Sequence, residues 1–572
     1  MSSVRPQWTE KQYPPSRGQD HLGLGSVSSD QILPKLSPGI VVQTVHPRYW
    51  SFYTFLLDEF WRRDLPRTRR DFSRFYRPRE AIYTIGAHLC DRPEHHRFGP
   101  LQAIVGSIKA GARAHQPPPV FDAGFNYIKD TLGGYGLYYS ASITAMGLTL
   151  PALPDAGLPY DAPTPEGRVV AAAFRATIAD TAYYREYFDH DDAQVPSAAV
   201  LEYIRAACLC QLETDAAPDR PLLRDVFLHA GTAKDATQRR ATMRFLLDLA
   251  DQTSGHALNE DRYRQLVYYR ADSAGATWDP LDANVRTARR WRLYQVREYY
   301  SFALNRLWRY LAEWGQAQIA TSGDVVPNVD WWAHVDDALD FAPLASAMGV
   351  DEPGLHSIST LAELTAWAAN AAAVAVDSDL DAAWDIAPAV TEHALYRWAD
   401  RNEDPAVIPA TLAILALVAA RIGAPGTQAA YDADWDICLD GGVSRLALNR
   451  FFTQWRRHQM AGRTLAEAAR WLIGDYVIRQ HERVAVTKLA QNGDTFRFRR
   501  IGDQIQFFEA DAPARMSNSR FQALATTVHE LGFVESLFAE GHALHADGLR
   551  LLNDGDLPEQ PLRGLVAGSS TE

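Results

Sequence analysis

The sequence predicts a mainly α, multi-domain helical protein with a small C-terminal α/β module containing a β-hairpin. Three observations carry this. The chain has 572 residues, several times what one hydrophobic core accommodates. Apolar residues recur at helical spacing through most of it. Period-two alternation is confined to one late stretch, "TFRFRRIGDQIQFFE".

Residues 1–20 carry no apolar run and are expected to be a disordered lead-in. An aromatic and basic helical domain follows over 21–150. Its opening, "LGLGSVSSDQILPKLSPGIVVQTVH", alternates short apolar runs with Gly, Ser and Pro. From Arg48 the pattern changes to "RYWSFYTFLLDEFWRR". Phe52, Phe55, Leu56 and Phe60 form one helical stripe, and Trp50, Tyr53, Leu57 and Trp61 form a second. A helix apolar on nearly all sides is a buried helix. Pro66 and the surrounding arginines should end it in an exit loop, and "RDFSRFYRPREAIYTIGAHLC" should restart a helix with Pro78 in its first turn. "HQPPPVFD" reads as a linker and "TLGGYGLYYSASITAMGL" as a glycine-rich turn into a short helix.

A helical domain spans 160–315. Thr164 is placed to cap its first helix, with Ala171, Phe174 and Ile178 inward. Its longest pattern, "LDANVRTARRWRLYQVREYYSFALNRLWRYLAEWG", should end at Gly315 as a C-cap. An acidic, alanine-rich helical domain covers 325–440. A winged-helix-like α/β module covers 441–555, and 556–572 is a tail with little structure. In the hairpin, Phe496 and Phe498 are expected on the face toward the adjoining helices and Arg497 and Arg499 on the other.

Apolar content of 47% and charged content of 22% fit a folded globular chain and exclude a disordered one. No run of eighteen apolar residues offers a membrane span, and the N-terminus lacks a secretory signal. Four scattered cysteines, Cys90, Cys208, Cys210 and Cys438, do not make a disulfide framework. A cytoplasmic location without membrane contact is expected. The net charge of −13 averages over unlike segments. Residues 1–120 hold 17 Lys and Arg against 10 acidic residues, and 441–520 hold 14 against 7. Between them, 316–440 hold 3 basic and 20 acidic residues. Two basic segments thus flank an acidic one suited to protein contacts.

No nucleotide-binding glycine motif, GxSxG elbow, HExxH or kinase set is present. His95 and His96 follow Cys90, but no second ligand pair has metal-site spacing. Cys208 and Cys210, two apart on a helix, should point to opposite sides. No metal and no cofactor is expected. Asp189 to Asp192 and the group His542, His545 and Asp547 resemble fragments of hydrolase motifs, and each reads more simply as a helix end.

The basic residues are the stronger signal. Arg62, Arg63, Arg67, Arg69 and Arg70 fall within nine residues, followed by Arg74, Arg77 and Arg79. Such clusters neutralise phosphates and release counterions. Arg497 and Arg499 would give a hairpin an arginine face, a known approach to nucleic acid. Arg286, Arg290 and Arg297 share a stripe of the long helix. Each group has an alternative role in stacking on aromatics or pairing with aspartates.

The stretch "HLGLGSVSSDQILPKLSPGIVVQTVHPRYWSFYTFLLDEFW", with "YRPREAIY" and "LGGYGLYYS", resembles a group of bacterial proteins encoded beside helicases and nucleases in phage-defence gene clusters. The resemblance covers the N-terminal quarter and implies a defence or DNA-transaction context without implying a reaction. The expected function is an accessory, nucleic-acid-associated subunit, with DNA and other subunits of a defence complex as partners. A metal-dependent nuclease or hydrolase with a dispersed active site is one alternative, and a protein-binding helical scaffold is another.

Overall fold

The aromatic stretch forms the helix its spacing predicts. In the computed structural model, α1 runs Arg48–Arg62 and is buried continuously from Arg48 to Phe60. The structure describes residues 20–569 except 64, 93–104, 116–119, 214–216, 376–378, 430–446, 493, 509–513 and 559–560. Helices dominate, and the strands form three small antiparallel sheets among the described residues. None of the described helices is long and apolar enough to cross a membrane.

The described chain packs as two compact units, each discontinuous in sequence. One comprises Pro34–Tyr263, Pro280–Thr287 and Asn518–Glu572. α1 is its centre. α2, Arg69–Leu89, begins where the Thr68 hydroxyl accepts the Asp71 N–H. Pro78 lies inside α2 rather than in its first turn, where it removes one backbone donor from a helix whose other side is buried. α3 spans Ser107–Ala114. α4, Pro165–Ile178, packs along α1 and is capped by Thr164, as its sequence predicts. α5 spans Ser197–Ala207 and α6 Arg220–His229. Strand β1, Val120–Asp122, pairs in this unit with a strand at Gln194–Pro196, and Thr149–Leu150 pairs with Ala162–Pro163.

The other unit comprises Met1–Leu33, Arg264–Asp279 and Ala288–Ser517. The long helix α7 runs Val285–Ser322, so Gly315 is not its C-cap. The hairpin forms at the expected place. Strands Phe498–Ile501 and Gln504–Phe507 pair antiparallel about Gly502, whose φ of 63° suits a tight turn. Phe498 and Phe507 are buried. Phe496 precedes the strand and is only partly buried, while Arg497 is buried, so the expected two-faced alternation starts only at Phe498.

A third strand, Val325–Pro327, adds to the hairpin from a distant part of the sequence, with Val326 opposite Ile505. The segment expected as one module over 441–555 is thus divided. Its hairpin belongs to this unit, and helix α8, Phe521–Glu530, belongs to the first. The expected unstructured tail also differs. Pro561–Ser569 is helical and buries Leu562 while packing on α4 and α6.

Candidate nucleic-acid interface

The arginines between α1 and α2 divide into two populations. Those with a local acceptor are used up in packing. Arg67 donates to the Phe60 and Trp61 carbonyls at 2.6 and 2.7 Å, closing the end of α1, and its guanidinium lies 4.7 Å from the Trp61 ring. Arg63 bonds the Glu59 carboxylate at 2.6 Å, pairs with Asp189 and covers Phe75 and Phe188. Arg79 is buried, 3.9 Å over the Phe75 ring and 2.8 Å from Asp191. A phosphate cannot reach a guanidinium in that position.

Arg62, Arg69, Arg70 and Arg74 remain exposed. Arg62 keeps a 3.7 Å contact with Glu59, and Arg74 a 3.8 Å contact with Asp191. Exposed pairs this long contribute little. Arg70 and Arg74, four apart on α2, share one face. Arg77, the next residue of that face, donates to the Ile128 carbonyl at 2.9 Å and to the Asp130 carbonyl.

Those two bonds fasten the loop at residues 124–131 beside α2. Between them lies an open cleft of about 400 Å³, lined by Arg74, Arg77, Asn126, Lys129 and Asp130 among others. Lys129 is exposed, and Lys109 on α3 donates to the Asn126 carbonyl at 3.2 Å. The cationic side chains therefore sit on a framed rim rather than a floppy loop.

The frame is held from below by Glu80, a fully buried carboxylate. It accepts hydrogen bonds from Tyr53 and Tyr127 and from the Gly134 N–H at 3.1 Å. Burial pushes its pKa above the ordinary carboxylate value, against the pull of those donors. Gly133, at φ 46°, comes so close that a Cβ there would lie 2.2 Å from Glu80 Oε2. The glycine-rich turn read from the sequence is thus the closure over this carboxylate.

The hairpin arginines do not extend this surface. Arg497 is buried, and its backbone N–H donates to His481 Nε2 at 3.0 Å. Arg499 is partly buried and donates to Gln506 at 2.9 Å. On α7, Arg297 is buried and bonds Ser301, and Arg292 holds the Leu380 and Ala382 carbonyls. Burial pulls Arg292 down to about 9. The motif fragments are likewise structural. Asp189 and Asp191 serve Arg63 and Arg79, Asp547 pairs with Arg224, and His542 contacts the Ala250 carbonyl at 3.1 Å. His95, His96 and Cys438 lie outside the described residues.

One arrangement has no sequence signal. His46 Nδ1 lies 2.6 Å from Glu530, both buried, although 484 residues separate them. His46 borders a cavity of about 650 Å³ that also meets Glu213, Glu260, Phe521, His529 and Ser536. An imidazole oriented by a carboxylate can act as a general base. Comparison of the chain with protein-family models, curated proteins and solved structures yields no match.

Proposed function

We propose that this protein is an accessory subunit of a bacterial anti-phage defence assembly that holds nucleic acid, DNA foremost, by its sugar–phosphate backbone. The observation that carries the reading is the cleft between α2 and the 124–131 loop, rimmed by Arg74, Arg77 and Lys129 with Arg70 one turn away. Arg77 is fixed by carbonyl bonds, and the same bonds and the Glu80 network hold the backbone that carries Lys129 beside α2, so the rim itself is in place before phosphate contact. Nothing on this rim distinguishes bases, and binding is expected to be weakly sequence-dependent. The acidic stretch 325–440 is the region suited to contacts with other subunits.

Fluorescence anisotropy with labelled duplex and single-stranded DNA at stepped salt tests this. Affinity should fall with a log–log slope of about −0.9 per neutralised phosphate on duplex. Exchanging Arg70, Arg74 and Lys129 for glutamate should abolish binding without changing the melting temperature. Arg67→Glu should instead destabilise the fold, because Arg67 closes α1. Absence of wild-type binding at low salt overturns the reading.

The enzymatic alternative draws on the His46–Glu530 pair at its cavity. Cleavage of DNA in the same samples, lost in His46→Ala, would favour it.

A further inference from the structure

The thiol of Cys90 meets those of Cys208 and Cys210, about 120 residues further along the chain, in the core. α2 ends at Leu89 and Cys90 follows as its C-cap. α5 ends at Ala207, and Cys208 turns the chain to extended backbone, with ψ 149°. Cys210 lies in the 3-10 turn Leu209–Glu213 that follows. The two residues therefore do not share a helix, and helical spacing does not send their side chains apart. Sγ atoms of Cys90, Cys208 and Cys210 all lie within 4.8 Å of one another, with Cys90 and Cys210 at 3.9 Å. All three are buried.

The surroundings fix this meeting. Gly86 lets α2 approach α5 so closely that a Cβ would stand 3.1 Å from Ile204 and 3.2 Å from Val200. Tyr83 donates to the Ala207 carbonyl at 3.1 Å, and Arg48 to the Cys208 carbonyl at 2.5 Å. The end of α5 is thus pinned to α1 and α2, and the thiols converge without a disulfide.

We propose that Cys90, Cys208 and Cys210 form a binding site for one thiophilic d¹⁰ cation, a zinc or cuprous ion. Around an ion with metal–sulfur bonds of about 2.3 Å, three trigonal sulfurs lie about 4.0 Å apart. One pair already has that spacing, and the widest needs to close by less than about 1 Å. Three sulfur donors select soft ions over magnesium or calcium. Each ligating thiol releases its proton to solvent as its sulfur bonds the ion. Cysteine is also a common core residue that packs as a small hydrophobe, and the experiment must separate the two roles.

The full chain, reduced with a phosphine and stripped of metal, is titrated with cadmium as an optical probe. Sulfur-to-cadmium charge-transfer absorption should saturate at one equivalent. Cys90→Ser, Cys208→Ser and Cys210→Ser should each weaken binding by about tenfold or more, as expected for a lost ligand, while Cys438→Ser keeps it. If the serine variants do not fold, ¹¹³Cd resonance of the wild type decides, since sulfur coordination shifts it far from the oxygen range. Competition against zinc- and copper(I)-selective chelators then identifies the preferred ion. No charge-transfer band at one equivalent, an oxygen-range resonance, or retention of the site in all three folded serine variants overturns the proposal.

Discussion

A Cβ placed on Gly315 would stand 1.9 Å from Cδ1 of Phe507, so the hairpin ring lies directly on the backbone of α7. Helix propensity favours alanine over glycine at such a position by about 1 kcal/mol. The ring reverses that preference. Gly315→Ala should destabilise by about 1–3 kcal/mol, the usual cost of overpacking. In a Phe507→Ala background the same alanine should be neutral or stabilising. Urea unfolding of the four proteins in this cycle measures the coupling. Stabilisation by Gly315→Ala alone would mean that Phe507 does not occupy this position.

Glu392 and Arg421 form a fully buried ion pair at 2.6 Å. Tyr268 and Tyr269 donate to the same carboxylate at 2.9 and 3.0 Å, and the guanidinium lies 4.8 Å from the Trp384 ring. Burial alone would lower the Arg421 pKa, but the carboxylate holds it above the ordinary value. Removing one partner leaves a charge with no compensation. Arg421→Ala should cost about 3–5 kcal/mol. Replacing both residues together with apolar side chains should recover much of that loss. Equal damage from the single and double variants would show that packing, rather than charge, decides.

The local parts of this structure were legible. α1 follows from its two aromatic stripes, the Thr164 cap from Thr-Pro-Glu-Gly, and the hairpin from its alternation about Gly502. What sequence did not reveal depends on acceptors brought from afar. Arg70 and Arg77 look alike in the sequence, yet only Arg77 finds the carbonyls of 128 and 130. Arg79 meets an aspartate 112 residues away. The third strand is three residues long, too short for its alternation to register. The thiol cluster depended on helix ends, the least predictable feature of any pattern, because a helix ending at Ala207 turns Cys208 and Cys210 inward together.

His229, at the end of α6, lies 2.6 Å from Asp225 by Nδ1 and 2.6 Å from Asp556 by Nε2. With both nitrogens donating, the ring is an imidazolium. Partial burial disfavours that charge, but the hydrogen bonds to Asp225 and Asp556 outweigh it and raise the pKa above the ordinary histidine value. Asp556 is correspondingly lowered by His229, against the effect of its own burial. Asp225 also accepts the Leu562 N–H at 2.8 Å, so this cluster ties the C-terminal helix to α6. Because the folded pKa exceeds the unfolded value of about 6.5, the contribution of His229 is complete below that pH. It is lost as pH rises through the folded pKa. The Asp556 contribution runs the other way, present above its unfolded pKa and lost in acid. The melting-temperature difference between wild type and His229→Gln should therefore be largest near pH 6 and shrink toward alkaline pH. The His229 imidazole resonance should titrate above the ordinary value, and its midpoint should fall in Asp556→Asn. A midpoint at or below about 6.5, or a difference independent of pH from 6 to 9, would show that the two aspartates do not hold this histidine charged.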